Sequence, residues 1–286
     1  MIVIEQVGPL ATIQDLGRPG WFGSGVGPSG AADRASSALA NRLVGNPESA
    51  ALLEVLVGGV VLRADRHHTL AVTGAPAPAT VDSTPVGPAS VLELEAGQTL
   101  RLGMAQRGLR SYIAVRGGID IAPVLGSRSL DTMSGIGPPP VQAGDLLPVG
   151  PAPRTYPIVD LAPVAQPEAG TLTVHAMLGP RDDWFIEPNA LFEGEWSVSP
   201  DADRVGVRLE RRTGPPLRRR SDDELRTEGV ALGSIQVPPS GNPVIFLADH
   251  PITGGYPVIA VVLDAEVDLV AQARPGQALR LRPPPR

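Results

Sequence analysis

Chemistry in this chain must come from carboxylates, arginines, hydroxyls, amides and backbone N–H groups. It has no cysteine, and all 24 of its Lys-plus-Arg residues are arginine. Three stretches gather such groups. The first is Gln14-Asp15-Leu16-Gly17-Arg18-Pro19-Gly20, running through Gly23, Gly25 and Gly27 to Gly30-Ala31-Ala32-Asp33. Closely spaced glycines let backbone approach a ligand. A helix starting at Gly30 would aim its first N–H groups into that loop and hold a carboxylate or phosphate oxygen. Arg18 would add a charged clamp. Asp15 and Asp33 would orient Arg18 or accept a substrate N–H. Residue types alone favour an Asp–Arg pair that only braces the loop.

The second stretch runs from Leu232 to Asp249. Gln236 lies on a strand, Pro238-Pro239-Ser240-Gly241 reverses the chain, and the apolar run Val244-Ile245-Phe246-Leu247 leads to Asp249. A carboxylate ending a buried strand is either hydrogen-bonded structure or a general base. Thr253-Gly254-Gly255-Tyr256 follows as a turn that exposes N–H groups beside a hydroxyl. Gln236, Asp249 and Thr253 together suit an amide- or urea-like group, which presents both donors and acceptors. The third stretch, Arg116-Gly117-Gly118-Ile119-Asp120 through Leu125-Gly126-Ser127-Arg128-Ser129, places Ser127 and Arg128 on a loop after a strand. It lacks the G-x-S-x-G elbow of a serine nucleophile.

Other candidates are weaker. His67 and His68 are adjacent and would face opposite sides of a strand, His175 lies inside a strand, and His250 follows Asp249. No metal site is expected. The arginines between Arg208 and Arg220 read as a solvated or partner-facing surface.

Composition closes several routes. Without lysine the chain cannot carry biotin, form a Schiff base with pyridoxal phosphate, or supply the lysine of a phosphate-binding loop. Without cysteine it has no thiolate nucleophile. The net charge of −6 gives no long-range attraction for nucleic acid or an anionic membrane. The N-terminal residues lack a secretory pattern and no apolar run is long enough to span a membrane, so the expected location is cytoplasmic.

The elements that must position these groups are mostly strands. Gly (33) and Pro (32) punctuate short apolar runs such as Val60-Val61-Leu62, which predicts a mainly β protein with many turns. The Pro/Ala-rich stretch 151–170 reads as an extended connector. It separates an N-terminal lobe, 1–150, from a C-terminal lobe, 171–286. The lobes echo each other: Ile2–Pro9 resembles Leu172–Pro180, Tyr112–Val115 resembles Tyr256–Val261, and Ala143–Val149 resembles Pro275–Leu281, with a further copy at Ala96–Leu102. Helix is predicted over Gly30–Val44, and short helices near Arg181–Phe185 and Asp222–Arg226.

A set of motifs carries a family resemblance: Gln14-Asp15-x-Gly17-Arg18, Gly30-Ala31-x-Asp33, Ala40-Asn41-Arg42-Leu43, Leu53-Glu54, Tyr112-Ile113-Ala114-Val115-x-Gly117-Gly118-Ile119, Leu125-Gly126-Ser127-Arg128-Ser129, Gly233-x-Ile235-Gln236-Val237-Pro238-Pro239 and Thr253-Gly254-Gly255-Tyr256-Pro257. In order and over nearly the whole chain, these resemble the KipA/PxpC family, also described as allophanate hydrolase subunit 2 and as biotin-dependent carboxyltransferase subdomains A and B. The resemblance implies two cyclophilin-like β-barrel lobes with few short helices. It implies a KipI/PxpB-like partner and a PxpA-like partner, which together with this chain form an ATP-dependent 5-oxoprolinase opening a cyclic amide to glutamate. ATP then belongs to the complex, and biotin enters only on another chain. Two other activities are implied by relatives: carboxyl transfer from biotin to an amide or urea, and non-catalytic regulation through a KipI-like kinase inhibitor. The site assignment is our own reading: Asp249, Gln236 and Arg18 are catalytic, and Asp15, Asp33, Ser127, Arg128, Thr253, Gly254, Gly255 and Tyr256 bind substrate. The chain departs from the family pattern at Ile252, where a threonine is common, at Val258, where a lysine is common, and at Val205, where a methionine is common.

Overall fold

A computed structural model describes residues 1–286 except Ile158, Asp222 and Arg286. The chain divides into two units: Met1–Arg18 with Ser29–Pro167, and Pro19–Pro28 with Glu168–Arg286.

The first unit holds β1 (Ile2–Gln6), β2 (Leu10–Gln14), α1 (Arg34–Leu43), β3 (Leu52–Leu56), β4 (Val61–Ala64), β5 (His68–Gly74), β6 (Ala79–Val81), β7 (Thr84–Val86), β8 (Val91–Leu94), β9 (Thr99–Leu102), β10 (Arg110–Val115) and β11 (Leu146–Leu147). Two sheets form, in the orders β11-β1-β4-β9-β6-β7 and β2-β3-β10-β5-β8. Period-2 alternation explains why they enclose one core. Ile2 and Ile4 from the first sheet meet Ile13, Val55, Leu70, Val72, Ile113 and Val115 from the second. β10 is buried along its whole length because its other face is covered too. Tyr112 and Ala114 point away from the inter-sheet core and pack with Ala40, Leu43 and Ala71 beneath α1. The small side chains Ala71 and Ala114 let the helix come close to the sheet.

The second unit holds β12 (Leu172–Leu178), β13 (Glu195–Val198), β14 (Gly206–Thr213), β15 (Glu228–Gly229), β16 (Ser234–Gln236), β17 (Val244–Phe246), β18 (Thr253–Gly254), β19 (Val258–Val262), α2 (Val267–Ala271) and β20 (Ala278–Arg282). Seven of these strands close a barrel in the order β12-β19-β16-β17-β14-β13-β20. The parallel pair β12–β20 completes the ring, with Leu172 opposite Leu279 and Val174 opposite Leu281. β15 and β18 form a separate short ribbon. The mainly β architecture predicted from turn spacing is therefore present. The lobes differ in construction: one closes by a continuous ladder, the other by packing two sheets.

The echoed segments are strands in both units, yet their pairings differ. β1 runs antiparallel to β11, whereas the corresponding β12 runs parallel to β20. The helix predicted from Gly30 begins later, at Arg34, because Asp33 caps it. The short helix near Arg181 is a 3₁₀ turn over Asp182–Trp184. The helix predicted near Asp222–Arg226 falls partly outside the described residues, and residues 223–226 are not helical. Within the stretch predicted as a connector, Asp160 and Ala162 are hydrogen-bonded to the first unit. The Val91 N–H donates to the Asp160 carbonyl and the Ala162 N–H to the Ala89 carbonyl, both at 2.9 Å. Among the described residues no helix is long and apolar enough to cross a membrane.

Candidate functional site

In the first unit, β2 ends on Gln14 and delivers Asp15 to a cluster of hydroxyls. The partners arrive on a tight turn. Leu125 (φ 52°) and Gly126 (φ 84°) are both left-handed, and Val124 and Ser127 exchange backbone hydrogen bonds of 2.8 and 3.2 Å across them. Two left-handed central residues make the hairpin turn that reverses a chain most tightly. The turn directs Ser127 inward. Asp15 Oδ1 accepts hydrogen bonds from Ser127 Oγ (2.6 Å), Ser129 Oγ (2.6 Å) and the Gly17 N–H (2.7 Å), and its Oδ2 accepts one from the Arg128 N–H (2.6 Å). The Asp15 N–H in turn donates to Ser129 Oγ at 2.8 Å. A carboxylate holding this many donors is an anchor for two loops. Gly30 (φ 100°) lies against it: a Cβ there would sit 3.0 Å from the Gly17 nitrogen and 3.2 Å from the Asp15 carbonyl oxygen.

Arg18 follows within this anchored loop. Its side chain is buried, and Nη2 donates to the Ser129 carbonyl. Nε and Nη1 are buried without a hydrogen-bond partner among the described residues. A guanidinium held out of water with one neutral acceptor is costly, by several kcal/mol, so its donors are free for an incoming acceptor. Arg128 is committed elsewhere: Nε donates to the Ile121 carbonyl (2.6 Å) and Nη2 to Asp120 (2.8 Å).

Asp33 is the N-cap of α1. Its carboxylate accepts from the Ser36 N–H (2.9 Å) and Ser36 Oγ (2.6 Å), so it takes up one of the helix donors that the sequence offered to a ligand. Behind it lies a buried polar network. The Asp33 N–H donates to the Tyr112 hydroxyl (2.7 Å), that hydroxyl donates to Glu54 Oε2 (2.9 Å), and the Ala32 N–H donates to the same oxygen (2.9 Å). Arg110 Nε stands 3.5 Å from Glu54 Oε1. Burial, reinforced by the Glu54 and Asp33 charges, raises the Tyr112 hydroxyl well above its ordinary pKa, so it remains a donor. The network fixes the 30–33 segment against β3 and β10.

The second unit gathers another group. Gln236 is buried on β16, and its Nε2 donates to the Tyr256 carbonyl at 2.7 Å. Gly254, on β18, lies against the same amide: a Cβ there would come within 2.6 Å of Gln236 Nε2. Thr253 and Tyr256 are exposed and Gly255 is half-buried. β18 pairs with β15, Gly254 opposite Glu228. Arg181 holds Glu228 through Nε and Nη2; this hydrogen bonding lowers the Glu228 pKa and raises that of Arg181. Asp249 is fully buried and paired with Arg204 through two parallel hydrogen bonds, Nε to Oδ2 (2.9 Å) and Nη2 to Oδ1 (3.0 Å). His250 Nδ1 donates to the Pro251 carbonyl at 2.7 Å.

The predicted residues thus fall into two constellations, Asp15, Arg18, Asp33, Ser127 and Arg128 in one unit, and Gln236, Asp249 and Thr253–Tyr256 in the other. Gln236 joins the Gly254–Tyr256 turn, while Asp249 is committed to Arg204. Sequence reasoning missed Gln14, Ser129, Glu54 and Arg204 as parts of these constellations. Gln14, Ser129 and Glu54 lay in quoted motifs, and Arg204 beside Val205, but each has a partner distant in sequence.

Comparisons with known proteins follow the same outline. Residues 24–283 match the model of the carboxyltransferase domain, subdomain A and B. The chain is 36% identical to the C subunit of 5-oxoprolinase from Escherichia coli (strain K12) over 284 residues, covering 98% of this chain and 90% of that protein. It is 31% identical to urea amidolyase of Saccharomyces cerevisiae over 307 residues, covering 99% of this chain but 16% of that protein. Among solved structures, TTHA0988 superposes with a TM-score of 0.86 at 35% identity, covering 98% of this chain and 56% of that one. The K. lactis urea amidolyase superposes with a TM-score of 0.91 at 29% identity, covering 99% of this chain and 18% of that one. A family match over residues 24–283, and alignment to relatives over almost the whole chain, mean that the chain belongs to the carboxyltransferase-domain family, subdomain A and B.

Proposed function

We propose that this chain is the C-type subunit of an ATP-dependent 5-oxoprolinase, a hydrolase component that opens the lactam of 5-oxoproline to glutamate together with PxpA-like and KipI/PxpB-like subunits. The observation that carries this reading is the match to the C subunits of two bacterial 5-oxoprolinases, which spans nearly all of each protein. The urea amidolyase matches align it with a small part of much larger chains.

The chemistry agrees with the residues. A lactam is a poor electrophile. Phosphorylating its oxygen with ATP makes the carbon open to water; the ring nitrogen then leaves as the amine, and a second water releases phosphate. Such a site needs donors aimed at developing oxyanion charge. Arg18 brings two unengaged donors into a dry environment. The chain has no lysine, so nucleotide phosphates must be met by arginine, backbone N–H groups or a partner.

Carboxyl transfer is the second reading. The family description and the fold shared with urea amidolyase favour it, but any biotin must arrive on another chain. The test is reconstitution with candidate partners. The first reading expects ATP-dependent glutamate release from 5-oxoproline. Labelled carboxyl transfer from a biotinylated carrier, without glutamate release, would replace it with the second. Tight partner binding with neither activity would leave a KipA-like regulator.

A further inference from the structure

Two buried side chains near the Ser129-Leu130 backbone have complementary, unmet needs. Gln14 Nε2 donates to Thr12 Oγ1 (3.1 Å) and to the Leu130 carbonyl (3.0 Å). A carbonyl oxygen takes only a donor, so the amide orientation is settled and Oε1 is the free end. That Oε1 is buried with no partner among the described residues. Arg18, anchored on the adjoining Ser129 carbonyl, leaves Nε and Nη1 buried and unpartnered. One residue thus lacks a donor and the other lacks acceptors, and they do not satisfy each other.

Leaving both unmet is expensive. The surroundings hold them in place all the same: Asp15 clamps the loop between them, and Ser29 Oγ donates to the same Leu130 carbonyl at 3.1 Å. A group carrying a carbonyl oxygen beside an N–H satisfies both at once. A cis amide in a small ring has that edge, and so does a urea.

We infer that Gln14 and Arg18 form a recognition pair for a cis-amide edge, Gln14 Oε1 accepting the ligand N–H and Arg18 donating to the ligand carbonyl. This rests on the lactam reading above and makes Gln14 the residue that selects lactam over lactone. A lactone presents a ring oxygen where the lactam has N–H, placing one acceptor against another. The paired atoms are closed to solvent, so entry requires local opening.

The test is equilibrium binding by calorimetry on the chain co-purified with its partner subunits. The probes are 5-oxoproline and its lactone analogue, with glutamate release followed in parallel. The wild-type complex binds the lactam at least about tenfold more tightly than the lactone, and Gln14→Met, which keeps the volume, brings the ratio near one. Equal binding of the two probes by wild type, or binding of neither, overturns the inference whether or not Gln14→Met folds. So does a lactam preference that survives in a folded Gln14→Met complex. Selective lactam binding without ATP-dependent glutamate release keeps the recognition pair and removes the 5-oxoprolinase reading.

Discussion

Arg18 is the residue on which stability and function pull apart. Its guanidinium is buried beside one carbonyl, with two donors unengaged. Groups kept in such a state belong to function more often than to folding. Arg18→Met removes the buried charge and fills most of the same space, so the melting temperature holds or rises while glutamate release falls by about 100-fold. Thermal denaturation and the coupled assay measure the two effects separately; a large loss of stability would mark Arg18 as a brace instead. The residue types at this site were readable in advance, since a glycine-rich loop with Asp15 and Arg18 stands out. The roles were not. Ser127 reaches Asp15 across 112 positions, and no local pattern reveals that those hydroxyls saturate the carboxylate. Gln14 stood in the same motif but was given no role of its own, because its half-satisfied amide rests on the Leu130 carbonyl, 116 positions away.

Elements decide which of these residues meet. α1 was visible in the sequence, but its start was misplaced because Asp33 has two uses. As a site residue it would accept from a ligand; as a cap it accepts from Ser36, and the cap satisfies donors that would otherwise be unpaired. On β17 the apolar run to Asp249 was legible, yet its partner Arg204 lies 45 positions away. The β15–β18 ribbon carries two further predictions. Gly254→Ala drives a methyl into Gln236 Nε2 and lowers activity by roughly tenfold or more if that turn binds substrate, with the barrel still folded by circular dichroism. Glu228→Gln tests the ion pair opposite Gly254. The folded pKa of Glu228 is lowered by its hydrogen bonds to Arg181. The pair's contribution is therefore complete above the ordinary glutamate value of about 4.3 and fades as pH falls through the lower folded value. Wild type melts slightly above Glu228→Gln at neutral pH, and the gap closes in acid. The gap is small because the two side chains are 35% and 32% exposed and solvent screens them. A gap that is unchanged in acid would contradict the assigned cause.

At the scale of the whole molecule, turn spacing and short apolar runs made the β-rich character plain, and the echo between the halves pointed to two related lobes. Pairing was beyond reach of that reasoning. Strand identity follows from local alternation, but whether β12 runs parallel to β20 or β1 antiparallel to β11 depends on how each unit closes. The missing lysines and cysteines carry a consequence at this scale alone. A chain that cannot hold biotin on its own side chains, and that lacks the lysine of a phosphate-binding loop, fits the role proposed above as one subunit of an assembly. The most direct measurement is a subunit-omission assay with this chain and its PxpA-like and PxpB-like partners, reading glutamate and phosphate from 5-oxoproline and ATP. The account predicts coupled release of both products only when all three subunits are present. Glutamate formed by this chain alone, or an undiminished rate when this chain is omitted, would contradict it.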